Sequence, residues 1–408
     1  MGVKERFLSY VAYDTTANPN SNTIPSSAKQ KLLGAYLVKE LQDIGIDNAF
    51  MDEYGYVYGY LEANVDNAVT IGLMAHMDTS DAVSGANIKP RVIENYDGKD
   101  IWLNDEVVTT VARFPQLSDY INKTLIVTDG NTLLGADDKA GIAAIMESLS
   151  YFTSNPKVKH GKVCVLFNPD EEVGRGTIKF NKAYFDCDFA FTVDGGKPEE
   201  IEFENFNAAS AQVIVKGIST HPGSAKNKMI NAINVAMEFH QLLPSVARPE
   251  HTEGYEGFNH LMNIEGDCEL TKLNYIIRNH DESLFTKQKE MFIDCAAFVN
   301  KRYLDDTVTL NISDSYKNMR KAFDNKMYIV ELAEKAISAV GLTPKRLAIR
   351  GGTDGAELTY KGILCPNIGA GGQNFHGRNE FCCVEDMVLS VSIINNIICM
   401  ASSLKKGD

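Results

Sequence analysis

Residues Lys162 to Gly176 read KVCVLFNPDEEVGRG. The run from Val163 to Phe167 is wholly apolar and is bounded by Gly161 and Pro169. A short apolar run with such bounds is a strand buried on both faces, the kind found inside a parallel sheet. It leads directly into three consecutive acids, Asp170, Glu171 and Glu172. Like charges this close to a core repel one another and resist desolvation, so a cation or a reaction must offset the cost.

Working outward, VTIGLMA (69–75) and FAFTV (189–193) are strands of the same kind, and KAGIAAIMESLSYF (139–152) has the apolar period of a helix. Upstream, Ser27 is placed to cap a helix that carries Leu32, Leu33, Tyr36, Leu37 and Leu41 and stops at Gly45. FMDEYGYVYGYL (50–61) alternates around Gly55 as a hairpin does. Strand–helix–strand order at these lengths implies a largely parallel sheet with helices on both faces. The pattern changes at residue 207. Residues 207–315 read strand, helix, two strands, helix, strand, which is the split βαβ order. The expectation is an α/β protein with two domains. Residues 1–206 and 316–408 form a main domain around a mostly parallel central sheet, interrupted by a ferredoxin-like α+β domain at 207–315.

The chain has 408 residues, enough for two domains with real cores. Its net charge of −14 argues against nucleic acid as a partner, because phosphate binding needs a basic face. No segment reaches the roughly 18 apolar residues of a membrane span, and the N-terminus lacks the apolar stretch of a signal peptide. The eight cysteines form no CxxC pair, which suits reduced thiols and a cytoplasmic location.

Further strand-end residues resemble the opening stretch. LMAHMDT delivers His76 and Asp78, LLGADDKAG delivers Asp137 and Asp138, TVDGG delivers Asp194, and NFHGRNE delivers His376. In an open parallel sheet the C-terminal strand ends share the edge where ligands bind. A single HxD or EE is ordinarily a surface pair. Five such pieces, each beside a glycine or proline turn, point to a metal site. Two imidazoles with several carboxylates and no cysteine suit zinc, manganese or cobalt. The surplus of ligands over one tetrahedral ion suits two ions sharing a carboxylate.

The strings AHMDT, LLGADDKAG, PDEEVGRG, TVDGG, STHPGSAK, RGGTDGAEL and NFHGRNEF stand here in the order found in the two-zinc peptidases related to carboxypeptidase G, and the chain resembles that family along nearly its whole length. The likeness extends to the tripeptide aminopeptidases within it. It implies two zinc ions per subunit: one held by His76 and Asp194, the other by Glu172 and His376, with Asp137 bridging. It implies Asp78 as the residue orienting His76, Glu171 as general base, and a cis peptide between Asp137 and Asp138. His221 would be the lid residue stabilising the oxyanion, and Arg278 and Arg350 would bind the carboxylate of a small peptide substrate. A homodimer through the inserted domain is a further expectation. Residues 81–125 carry none of the motifs, so nothing is assigned to them.

Two alternatives remain open at this level. A dipeptidase or N-acyl amino acid deacylase would use the same zinc core, and a non-catalytic zinc-binding scaffold belongs to a different class. The presence of both Asp78 and Glu171 favours catalysis. A dinuclear phosphoesterase is disfavoured because no phosphate-cradling loop accompanies the acids.

Overall fold

Val163–Asn168 is the strand anticipated above, buried at every position, in a computed structural model that describes residues 1–405. It belongs to an eight-stranded sheet. In spatial order the strands are Phe50–Met51, Val57–Leu61, Val163–Asn168, Ile71–His76, Phe189–Gly195, Asn367–Gly369, Glu200–Asn205 and Lys345–Ile349. Parallel pairing joins the middle four. Val57–Leu61 joins Val163–Asn168 antiparallel, as Glu200–Asn205 joins Asn367–Gly369, so antiparallel strands flank the parallel centre and the sheet as a whole is mixed. The apolar runs are the central strands because those alone are covered on both faces.

Met74, Cys164, Leu166 and Ala190 pack with Tyr58 and Leu358 in one cluster. The alternating residues Leu73, Val165 and Phe191 are fully buried on the opposite face. Helix Ala136–Ser154 packs on strands Ile71–His76 and Phe189–Gly195. Gly141 allows this approach, since a Cβ there would lie 1.8 Å from the Val193 carbonyl oxygen. The start of that helix is thereby held beside the strand that carries Asp194. Helix Gln30–Asp43 starts three residues after Ser27, which supplies a backbone carbonyl to Gln30 N–H rather than a side-chain cap. Leu33, Leu37 and Leu41 are buried as expected, whereas Leu32 is exposed.

The stretch left unassigned in the sequence builds a second sheet. Arg91–Ile93 pairs with Leu125–Val127, which pairs with Phe381–Cys383, which in turn pairs with Gly372–Gln373. Tyr96, Leu117, Tyr120, Leu125, Val127 and Phe381 form its core. His376 is carried in the turn between the last two of these strands, so it does not come from the central sheet edge.

Helix Val384–Ala401 is long and apolar enough for a membrane span by length and composition. It packs instead on helices Ala136–Ser154 and Tyr328–Ala339 and buries Ile393, Ile394, Ile397 and Ile398.

The chain divides into two compact units. The first comprises Met1–Phe203, Ala322–Leu347 and the residues from Thr353 onward, and the second Glu204–Lys321 with Ala348–Gly352, a little wider than the 207–315 read from sequence. The second unit holds a four-stranded antiparallel sheet in the order Phe258–Gly266, Leu270–Asn279, Asn207–Lys216, Val308–Tyr316. Helices Ala232–Leu242 and Glu282–Arg302 pack on this sheet over Val213, Phe239, Leu273, Tyr275 and Phe292. That is the split βαβ arrangement.

Phe381 anchors the second sheet, buried with its ring 5.1 Å from Tyr120 in an edge-on pair. Phe381→Ala is expected to lower stability by about 3–5 kcal/mol in urea denaturation. A loss below about 1 kcal/mol would exclude this core as the anchor.

Candidate metal centre and active site

Asp137 sits at the start of helix Ala136–Ser154, where Asp137 and Asp138 depart from helical backbone angles and the peptide bond between them is cis. Its Oδ1 lies 2.7 Å from His76 Nε2 and its Oδ2 lies 3.0 Å from His376 Nε2. His76 Nε2 is also 3.5 Å from Asp194 Oδ1, and His376 Nε2 is 3.0 Å from Glu172 Oε2. The side chains thus form two overlapping groups: His76, Asp137 and Asp194, and Asp137, Glu172 and His376. One carboxylate is common to both.

The electrostatics of these groups favour a cation. Burial pushes the Asp194 carboxyl up to about 6 and Glu172 up to about 7, against the nearby histidines. Burial also pushes Glu171 well above its ordinary value, with Asp354, Asp194 and Glu172 adding to the rise. Burial works the same way on Asp137, but hydrogen bonds from His376 and His76 overcome it and hold the group well below the usual range. The His376 imidazole is drawn up to about 11 by its bonds to Asp137 and Glu172. Oε1 of Glu172 is buried and has no hydrogen-bond partner among the described residues. An acceptor left in that state is costly, and a divalent ion would satisfy it. Each group offers one imidazole and two carboxylates, a donor set that fits zinc, manganese or cobalt.

The three consecutive acids are separated by their backbone. Asp170 adopts a left-handed conformation (φ +64°) and turns away. Its carboxylate accepts the Ser26 N–H and hydroxyl and a Gln30 amide hydrogen. Glu171 and Glu172 begin a short 3₁₀ turn whose two N–H groups donate to Asp78 Oδ1 and Oδ2 at 3.0 and 3.1 Å. Asp78 Oδ1 is 3.4 Å from His76 Nδ1, and the Asp78 carbonyl oxygen is closer at 3.1 Å. The Asp78 carboxylate therefore holds the glutamate turn, while its backbone carbonyl makes the closer contact to the His76 ring.

Sequence reasoning missed three buried groups at this site. Asp354, the first residue of helix Asp354–Tyr360, accepts from Asn168 Nδ2 at 2.5 Å and is pushed up to about 7 by burial. Burial pushes the Lys139 ammonium down to about 8, with Glu380, Asp14 and Asp78 opposing, and Nζ donates to the Tyr13 carbonyl. Glu380 is buried beside the Asp137 turn. Only the acids and the lysine within the motif strings could have marked them.

His221 and both arginines belong to the second unit. His221 is exposed on a turn before Pro222, and its Nδ1 accepts the Gly223 N–H at 3.1 Å, which leaves the proton on Nε2. Arg278 lies on the helix-free face of its sheet; its Nη1 donates to the Ala209 and Ile277 carbonyls. Arg350 is tied to a loop of its own unit. Its Nη1 donates to the Gly254 and Glu256 carbonyls and its Nη2 to the Thr252 hydroxyl, so the fork braces the 252–256 loop.

Over residues 127–399 the chain matches the model of peptidase family M20/M25/M40. It is a member of that family, and an enzyme that hydrolyses peptide bonds. It is 49% identical to Peptidase T of Caldanaerobacter subterraneus subsp. tengcongensis over 97% of this chain and 98% of that one. Among solved structures, aminopeptidase PepT of Bacillus cereus superposes with a TM-score of 0.78 at 22% identity, covering 98% of both chains. A tripeptidase of Staphylococcus aureus gives 0.77 at 21% identity, also with 98% of both chains covered.

Asp78→Asn replaces one acceptor of the glutamate turn with a donor. Turnover is expected to fall by about 10–100-fold with the fold retained, as read by peptide hydrolysis and circular dichroism. Wild-type turnover in the folded variant would remove Asp78 from the machinery.

Proposed function

We propose that this enzyme is a metallo-aminopeptidase that removes the N-terminal residue of tripeptides, with two zinc ions per subunit. His76 and Asp194 would hold one ion, Glu172 and His376 the other, and Asp137 would bridge them. The observation that carries this reading is Asp137, whose two oxygens each meet a different histidine, with Glu171 beside them. When bound, the ions would acidify a water and polarise the scissile carbonyl.

Glu171 accepts the proton of the attacking water and delivers it to the leaving amine nitrogen as the C–N bond breaks. Its raised proton affinity, a product of burial, suits a group that must take a proton and then release it. Asp78 keeps Glu171 and Glu172 in register through their N–H groups. His221 presents Nε2–H, the donor an oxyanion requires. Arg278 retains Nε and Nη2 for a substrate carboxylate. Arg350, the second arginine proposed for that carboxylate, has its Nη1 on the 252–256 loop carbonyls. The tripeptide preference is supported by the names of the relatives, Peptidase T and a tripeptidase.

Glu171→Gln is expected to keep both metals and lower turnover by about 10²-fold or more. Metal analysis alongside hydrolysis of Ala-Ala-Ala reads both quantities, and near-normal activity with metal bound would refute the base. Product analysis on Ala-Ala, Ala-Ala-Ala, a tetrapeptide and N-acetyl-Ala tests the substrate class. Preferred cleavage of the dipeptide or the acylated amino acid would replace the tripeptide reading.

His221→Ala is expected to leave metal content intact and reduce turnover by about 10²–10³-fold. Mixing it with Glu171→Gln subunits distinguishes the source of the histidine, since recovered activity requires a second copy of the chain. Full activity of His221→Ala alone would end the assignment.

A further inference from the structure

Glu380 stands four residues after His376 and is 1% exposed. Its Oε2 accepts the Leu134 and Gly135 N–H groups at 2.6 and 2.9 Å. Its Oε1 accepts those of Ala136 and Asp137 at 2.7 and 3.2 Å. Four successive backbone amides therefore converge on one carboxylate, the last belonging to Asp137 itself. Gly135, at φ +76°, lets the turn curl its amides inward. Bonds of this kind to an ionised acceptor are shorter and about twice as strong as neutral ones. A concave row of N–H groups is also a natural anion cradle.

The other end of the tie is the His376 loop. Its backbone is unusual, with Asn374 and His376 both at positive φ, and the His376 side chain is 48% exposed, so packing alone does not fix it. Side chains brace the loop ends: Gln116 Nε2 donates to Asn374 Oδ1, and Thr109 Oγ1 donates to Asn379 Oδ1. The Glu380 N–H closes the turn on Gly377 O, while its carboxylate reaches across to the Asp137 turn. His76 and Asp194 need no such help, because they ride on central strands of the large sheet.

We infer that Glu380 is a positioning residue that sets the spacing of His376 from Asp137, and so governs binding of the second metal ion rather than the first. This rests on the two-metal reading above. In Glu380→Gln, one oxygen becomes an amide nitrogen that offers no lone pair and turns its own hydrogens toward two N–H donors. In Glu380→Asp the charge remains but is withdrawn by one methylene.

Two measurements on the full chain test the inference. Amide hydrogen exchange after chelation reads the clasp without any metal. Exchange at residues 134–137 should be at least about 10-fold faster in both variants, while the central strands keep their rates. Cobalt titration then reads the two ions separately. The unsubstituted enzyme should take two equivalents, and Glu380→Gln should take the first normally and the second about 10–100-fold more weakly. Unchanged exchange overturns the proposal, as does faster exchange with normal affinity for the second ion. Unfolding of both variants overturns it too, by assigning Glu380 a purely structural role. If the unsubstituted enzyme takes one equivalent at most, the two-metal reading fails instead, and the exchange data decide the clasp alone.

Discussion

Two histidine nitrogens meet the two oxygens of Asp137, and most of the first unit is arranged so that this contact can exist. His76 arrives at the end of a strand enclosed by neighbours on both sides. Asp137 arrives at a helix start pressed onto the same sheet through Gly141. His376 comes from a separate small sheet. Three supports of different stiffness must agree to within a fraction of an ångström for a shared carboxylate to serve two partners.

The agreement is achieved largely by carboxylates that grip backbone. Asp78 takes the N–H groups of the glutamate turn, Glu380 takes four from the Asp137 turn, and Asp170 takes one from Ser26. The site is therefore an inner set of acids held in place by an outer set. Such crowding of negative charge is tolerable because the outer acids face N–H dipoles and the buried Lys139 ammonium rather than one another.

The central strands were legible in the sequence because burial on both faces leaves an unbroken apolar run, and the acids at their ends followed directly. The sheet edges were not, because parallel or antiparallel pairing is decided by a partner strand and leaves no local mark. The second sheet was invisible for a related reason. Its strands are two or three residues long, too short to show a period, and they pair across most of the chain. Asp170 and Glu171 look alike in sequence, and only a left-handed backbone turns Asp170 toward Ser26 and Gln30 instead of the histidines. Arg350 stands beside a glycine-rich motif, yet loop carbonyls take most of its donors.

The pairing of Leu125–Val127 with Phe381–Cys383 has a consequence for biosynthesis. Leu134 and Glu380 are 246 residues apart, so the clasp between them closes a very long loop. During translation all eight strands of the large sheet are made before His376 and Glu380 exist. A nascent or prematurely terminated chain that stops short of His376 therefore carries four of the five proposed metal ligands and no closed centre. The contact of His376 with Asp137, and the clasp that holds it, can form only after the chain has been made through Glu380.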